Sequence, residues 1–357
     1  MNTFPPFRSD NTAGACLAVL EAITRTNGGL ASAYGTDDHS AALNRAMSDA
    51  FEHRCWCFPV GTGTAANALA LAAVAQANTL IACHTGAHIL RSEDEAVRFF
   101  SPGVGLEPLP GEAGRIAIAI LEDAAHEKRN SAPPRWSALS LTQLTETGTV
   151  YSLDETAALA TAARRYGARV HMDGARFANA VVALGATPAD ASWRSGVDIL
   201  SFGGTKNGTI NADAVVAFDE TIASAVRARL KRTGQLYSKM RFMAAQMLAL
   251  LEDGLWLKNA EHANAMAQRL NEGISACRGV EILHAVDGNH LILRLAKPLV
   301  RRLTEVGSIP WKSGADEQGH PIYRLVTSFD TEPEEVDRFA VLLKLLSSEQ
   351  ETGQHRT

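Results

Sequence analysis

Lys206 lies in "SFGGTKNG" (201–208), a glycine-rich stretch that follows the strand-like "DIL". A lysine in such a loop is a solvated charge, a phosphate contact, or an amine that forms a Schiff base with a carbonyl cofactor. Upstream, Asp173 stands in "HMDGAR", where a carboxylate ending a parallel strand is costly to bury unless paired. Arg176, one helical turn on, is its ordinary structural partner. Thr62-Gly63-Thr64 follows "CWCFPV" and opens an alanine-rich helix. Free N–H groups, small residues and hydroxyls there suit a phosphate, although threonine and glycine are also common helix-start residues. His88 follows "TLIACH" and by itself reads as a helix-terminal histidine. Together these pieces match one cofactor. Pyridoxal 5'-phosphate needs a lysine, a carboxylate on its ring nitrogen, a phosphate cradle and a flat group over the ring.

The elements that must position these residues alternate along the chain. Apolar runs at 55–60, 79–84, 136–143, 168–174 and 197–204 read as strands, with helices between them. One such helix has Ser152 as N-cap, Glu155 three residues later and Gly167 as its stop. Another is expected from about Ala87. Strands that read as apolar runs separated by helices predict a mostly parallel sheet covered on both faces. From Lys239 a long helical stretch follows, broken near Gly254, then a hairpin around Asp287-Gly288, a helix, the strand "YRLVTS" and a final helix at 332–347. The expected organisation is an N-terminal arm (1–14), a large α/β domain (15–249), a smaller α+β domain (250–349) and a tail (350–357).

The 357 residues, 46% of them apolar and 20% charged, have the balance of a soluble globular protein. A net charge of −5 offers no footprint for nucleic acid. No apolar run would cross a bilayer, and "MNTFPPFRSDNTAGA" lacks the pattern of a secretory signal, so a cytoplasmic location is expected. The odd count of five cysteines argues against a disulfide framework. Cys55 and Cys57 read as buried thiols, and no metal is expected.

The chain resembles the low-specificity L-threonine aldolases, with the L-phenylserine aldolases among them. The resemblance rests on "RSDNTAGA", "AYGTDDHSAALNRAM", "FPVGTGTAANALAL", "CHTGAHI", "VHMDGARFANA", "SFGGTKNG", "SKMRFMAAQ" and "YRLVTSFDT", in order over nearly the whole chain. It implies the aspartate-aminotransferase-like fold and cleavage of β-hydroxy-α-amino acids to glycine and an aldehyde. It implies that Lys206 carries the cofactor, Asp173 meets the ring nitrogen and His88 stacks on the ring. Gly63 and Thr64 would bind phosphate, with Arg241 of a neighbouring subunit closing that site. Ser9, Arg176 and Arg324 would grip the substrate carboxylate, an arrangement that suits the arginine fork. Tyr34 would be an active-site tyrosine shared across a dimer, in a homodimer or homotetramer.

Two departures stand out. Many members of that family have "THN" where this chain has Thr142-Gln143-Leu144, so a histidine near the β-hydroxyl is missing. Gln143 can hydrogen-bond but is no base, which leaves His88, His84 or a water to take the proton. The stretch "KRTGQLYSKMR" also differs in length from the commoner glycine-rich version. The alternatives are a β-eliminating lyase or aminotransferase of the same fold, and a non-catalytic or dinucleotide-binding α/β protein. Against the last, no G-x-G-x-x-G opens a helix after the first strand.

Overall fold

The computed structural model describes residues 7–93, 95–130, 135–316 and 318–348. The expected tail at 350–357 and the first six residues of the expected arm lie outside them. The described chain forms two compact units, one of Gly14–Glu146 with Val150–Lys258, the other made of the remainder. The first unit runs on to Lys258, into the helix Leu255–Ile274, past the boundary expected at 249/250.

The larger unit holds a seven-stranded sheet. Its strands are β1 (Trp56–Val60), β2 (Leu80–His84), β3 (Gly105–Leu109), β4 (Trp136–Thr142), β5 (Arg169–Gly174), β6 (Ile199–Phe202) and β7 (Asp213–Ala217). They lie in the order β1-β7-β6-β5-β4-β2-β3. Every residue of β4, β6 and β7 is buried, so both faces of the sheet are covered there. That burial is why these strands read as continuous apolar runs rather than alternating ones. Neighbours from β6 to β3 are parallel, while β7 is antiparallel to both β1 and β6. The sequence reading omits β3 and β7. The short β3 carries partly exposed residues, and "DAVVA" follows the glycine-rich loop without an intervening helix.

The alanine-rich helix Gly63–Val74 is buried from Ala66 through Ala72. Small side chains let it lie close to its neighbours, and Leu69 packs with Phe58, Val60, Ile199 and Val215. The helix Leu153–Arg165 has the expected capping box: Glu155 N donates to Ser152 Oγ at 3.1 Å and Ser152 N to Glu155 Oε2 at 2.7 Å. Such a cap is worth about 1 kcal/mol. The helix expected from Ala87 is only His88–Arg91, because the chain turns out of helical geometry at Ser92. That turn sends Glu93 back toward His88.

The smaller unit has a four-stranded antiparallel sheet. It comprises β8 (Val280–Ile282), β9 (His290–Leu295), β10 (Trp311–Ala315) and β11 (Pro321–Val326) in the order β10-β11-β9-β8. β8 and β9 pair as the expected hairpin. The helices Leu255–Ile274 and Pro333–Ser348 share a core with it through Leu270, Leu293, Leu325 and Phe339. The break near Gly254 is present, with Asp253 at φ 51°. No helix among the described residues is long and apolar enough to cross a membrane.

Candidate active site

β1 and β6 run the same way because each is antiparallel to β7, which lies between them. The carboxyl ends of β1, β2, β4, β5 and β6 therefore share one edge of the sheet, the edge where α/β sheets bind ligands. Thr62–Thr64, His84, Gln143, Asp173 and the Lys206 loop all follow from those strand ends.

The Lys206 loop is built by close approach. A Cβ on Gly203 would run into the carbonyl oxygen of Ala175, and one on Gly204 into that of Ala212. Only glycine fits at either position. Thr205–Asn207 form a 3₁₀ turn, closed by Gly208 at φ 116°. Asp213, at the start of β7, accepts from Gly204 N at 2.8 Å, Thr205 N at 3.1 Å and Thr205 Oγ1 at 2.9 Å. Lys206 is half-buried and has no hydrogen-bond or ion-pair partner among the described residues.

Asp173 is 2% exposed and holds a different kind of company. Its Oδ1 accepts from Ala175 N at 3.1 Å and its Oδ2 from Asn67 Nδ2 at 3.0 Å. Both donors are neutral, and Arg176 is not among its partners. Asn67 Nδ2 also donates to Glu93 Oε1 at 2.8 Å, and that oxygen lies 3.0 Å from His88 Nδ1. The Glu93 side chain is 0% exposed and the His88 side chain 35%. The Glu93 contact raises the pKa of His88 above the ordinary imidazole value, and burial raises that of Glu93 above the usual carboxylate range. Asn67 belongs to the buried face of the alanine-rich helix, where a polar side chain requires such partners.

The same helix begins at Gly63, where an added Cβ would meet nothing within 4 Å. Thr62 is its N-cap, its Oγ1 accepting from Ala65 N at 3.0 Å. The first-turn N–H groups of Gly63 and Thr64 thus open a helix terminus suited to an anion.

The remaining expected residues fall in both units. Arg241 stands in the first turn of the helix Met240–Leu251 and donates to Gly29 O at 3.2 Å. Tyr34 is exposed at φ 60°, its backbone N bonded to Ser238 O at 3.1 Å. Arg176 is buried and precedes the helix Phe177–Leu184. Ser9 and Arg324 belong to the smaller unit. There Val326 N donates to Phe7 O at 2.7 Å, which ties the segment carrying Ser9 to the strand carrying Arg324.

Residues 6–298 match the model of the beta-eliminating lyase family. Over 342 residues the chain is 38% identical to the low-specificity L-threonine aldolase of Pseudomonas aeruginosa, covering 95% of this chain and 97% of that one. This chain belongs to the beta-eliminating lyase family, among the low-specificity L-threonine aldolases. The solved threonine aldolase of Leishmania major superposes with a TM-score of 0.87 at 25% identity, covering 97% of this chain and 100% of that one. The Oryza sativa TDC solved with PLP and tryptamine shares the fold at a TM-score of 0.73 and 15% identity, over 98% of this chain and 84% of that one. The fold is thus that of the pyridoxal-phosphate-dependent transferases, and the family is one of pyridoxal-phosphate-dependent enzymes. The residues present fit that group: a buried carboxylate bonded only to neutral donors suits a cationic ring nitrogen, and an unpartnered amine suits an aldehyde.

Within this aldolase family the chain's departures acquire a physical meaning. Gln143 is buried, with Nε2 donating to Tyr151 O at 2.8 Å and Oε1 accepting from Tyr151 N at 3.0 Å. Its amide clasps the loop from 144 to 150 shut. His84 has both ring nitrogens occupied, Nδ1 by Gly86 N at 3.0 Å and Nε2 by Gly111 O at 3.1 Å. Accepting at Nδ1 requires the proton on Nε2, so no lone pair remains. Sequence reasoning missed Asn67, Glu93 and Asp213. A polar residue amid "TAANALALAA" was the one signal for Asn67. Cys55 and Cys57 are buried as expected, and burial pushes the Cys55 thiol up to about 11.

Proposed function

We propose that this chain cleaves β-hydroxy-α-amino acids of the L-threonine or L-phenylserine type to glycine and an aldehyde, using pyridoxal 5'-phosphate. The observation that carries the reading is Asp173, buried at a parallel strand end with only neutral donors, on the same sheet edge as the unpartnered Lys206. Within a family of carbon–carbon lyases that pair has one evident use. When bound, the cofactor supplies a conjugated cationic ring that takes up the electron pair of the broken Cα–Cβ bond.

The chain's own residues do the rest. Lys206 Nζ is the covalent anchor. Asp173 holds the proton of the ring nitrogen in place, its own oxygens steadied by Asn67 and Ala175. The N–H groups of Gly63 and Thr64 receive the phosphate, with Arg241 of a second copy completing the cradle. Arg176, Arg324 and Ser9 bind the substrate carboxylate, which decides which bond at Cα is aligned to break. His88 Nε2 takes the β-hydroxyl proton as the aldehyde forms, and Cα later takes one proton to give glycine. Arg241 and Tyr34 make the proposed unit a homodimer or homotetramer with shared sites.

Product analysis tests the reading. The full chain, loaded with pyridoxal phosphate, should yield glycine and acetaldehyde or benzaldehyde in equal amounts from L-threonine or L-phenylserine. Borohydride reduction should then fix the cofactor on the peptide containing Lys206. Ammonia with a keto acid as the products would indicate a β-eliminating lyase instead.

A further inference from the structure

Glu93 is a fully buried carboxylate without an arginine or lysine partner, and no role yet described uses it. Its Oε1 faces two groups, Asn67 Nδ2 at 2.8 Å and His88 Nδ1 at 3.0 Å. The Asn67 amide offers two hydrogens, one to Glu93 and one to Asp173. Reversing that amide would set its oxygen against two carboxylates, so the orientation is decided by charge. Because Asn67 already donates to Oε1, a proton on that oxygen would face another donor. The hydrogen between Glu93 and His88 therefore belongs to Nδ1. A neutral imidazole with its hydrogen on Nδ1 has a lone pair on Nε2. His88 Nε2 has no protein partner among the described residues, and the His88 side chain keeps 35% of its exposure. Of the charges acting on this ring, Glu93 is in contact, while Glu146, Asp173 and Lys206 act through space.

We propose that Glu93 is a positioning residue: it holds neutral His88 as the Nδ1–H tautomer, so that Nε2 presents its lone pair to the substrate's β-hydroxyl, and Asn67 braces the Glu93 carboxylate between His88 and Asp173. The step it serves rests on the aldolase reading above, whereas the tautomer itself does not. The device explains how a family member without a histidine at Gln143 gains a directed base. The buried carboxylate makes the base, and it stands five residues from His88 because the helix His88–Arg91 stops after one turn.

The test uses the full, cofactor-loaded chain labelled with ¹⁵N-histidine. Long-range ¹H–¹⁵N correlation, at a pH where His88 is neutral, should show the hydrogen on Nδ1. In Glu93→Gln the amide can donate to Nδ1, which moves the ring hydrogen to Nε2 and removes the base. That variant should lose about a hundredfold or more in kcat, with KM changed less than about threefold. Glu93→Asp should restore the Nδ1–H tautomer and most of the lost kcat. A wild-type His88 with its hydrogen on Nε2 would overturn the proposal, as would a folded Glu93→Gln that keeps wild-type kcat. A wild-type chain that makes no glycine would instead defeat the aldolase reading, and the tautomer spectrum would still decide the role of Glu93.

Discussion

Asp213 accepts the backbone N–H of Gly204 at 2.8 Å and so ties the first residue of β7 to the loop that carries Lys206. With the two further bonds from Thr205, one buried carboxylate receives three donors. Hydrogen bonds to a charged group are worth about 1.5–3 kcal/mol each, and a neutral amide accepts through one oxygen only. Asp213→Asn should therefore cost about 2 kcal/mol in denaturant unfolding. It should also slow attachment of pyridoxal phosphate to Lys206, followed by absorbance. Unchanged attachment would mean that Gly203 and Gly204 alone shape the loop.

The position of Gln143 calls for a stability effect rather than a binding effect. Its side chain makes both of its bonds to the Tyr151 backbone and is buried. Gln143→Ala leaves that N–H and carbonyl without their partner, a loss of about 1–3 kcal/mol. Calorimetry should show a lower Tm, and kcat should fall far less than in a His88 variant. A normal Tm with raised KM would place Gln143 on the substrate after all.

His88→Phe keeps a flat ring but removes the nitrogen proposed as the base. Cleavage of L-threonine and L-phenylserine should slow by about a hundredfold or more, with cofactor loading checked by absorbance. Near-normal turnover in the loaded variant would assign the proton to a water, because both nitrogens of His84 are already engaged.

Folding stability should depend on pH through His171. This histidine is buried in β5, between Ser140 Oγ of β4 at 2.9 Å and Ser201 Oγ of β6 at 2.9 Å. Burial lowers its pKa from 6.5 to about 4. Between those values the unfolded chain binds the extra proton and the folded chain does not, so stability rises with pH there. The contribution is intact above pH 6.5 and is lost as the pH falls toward 4, by about 3 kcal/mol in all. Urea unfolding from pH 7 to pH 4 should show this slope, and His171→Gln should flatten it. An equal slope in the variant would shift the cause to other groups.

What the sequence could reveal about the site was whatever lies in local order. Lys206 between glycines, Asp173 ending an apolar run, and Thr62 capping an alanine-rich helix all advertise themselves within a few residues, since strand ends and helix starts are set by nearby side chains. The alternation of strands and helices was legible for the same reason, as was the capping box at Ser152. Residues with a family motif around them could also be singled out by resemblance, which is how Ser9, Arg241 and Arg324 came into view.

The partners of those residues were decided elsewhere. Asn67 meets Asp173 across 106 residues of chain and Glu93 across 26, and neither distance leaves a periodic trace. Because β7 lies between β1 and β6 and is antiparallel to both, those two strands run the same way, which brings the Thr62–Thr64 turn to the same edge as Lys206. Gln143 stands where many relatives have a histidine, and its type left its hydrogen-bond partners open; the fold gives them as the backbone of Tyr151. A side chain's chemistry is given by its type, but its partner is chosen by packing. In a buried site every donor must find an acceptor, and only the assembled sheet and helix determine which one is within reach.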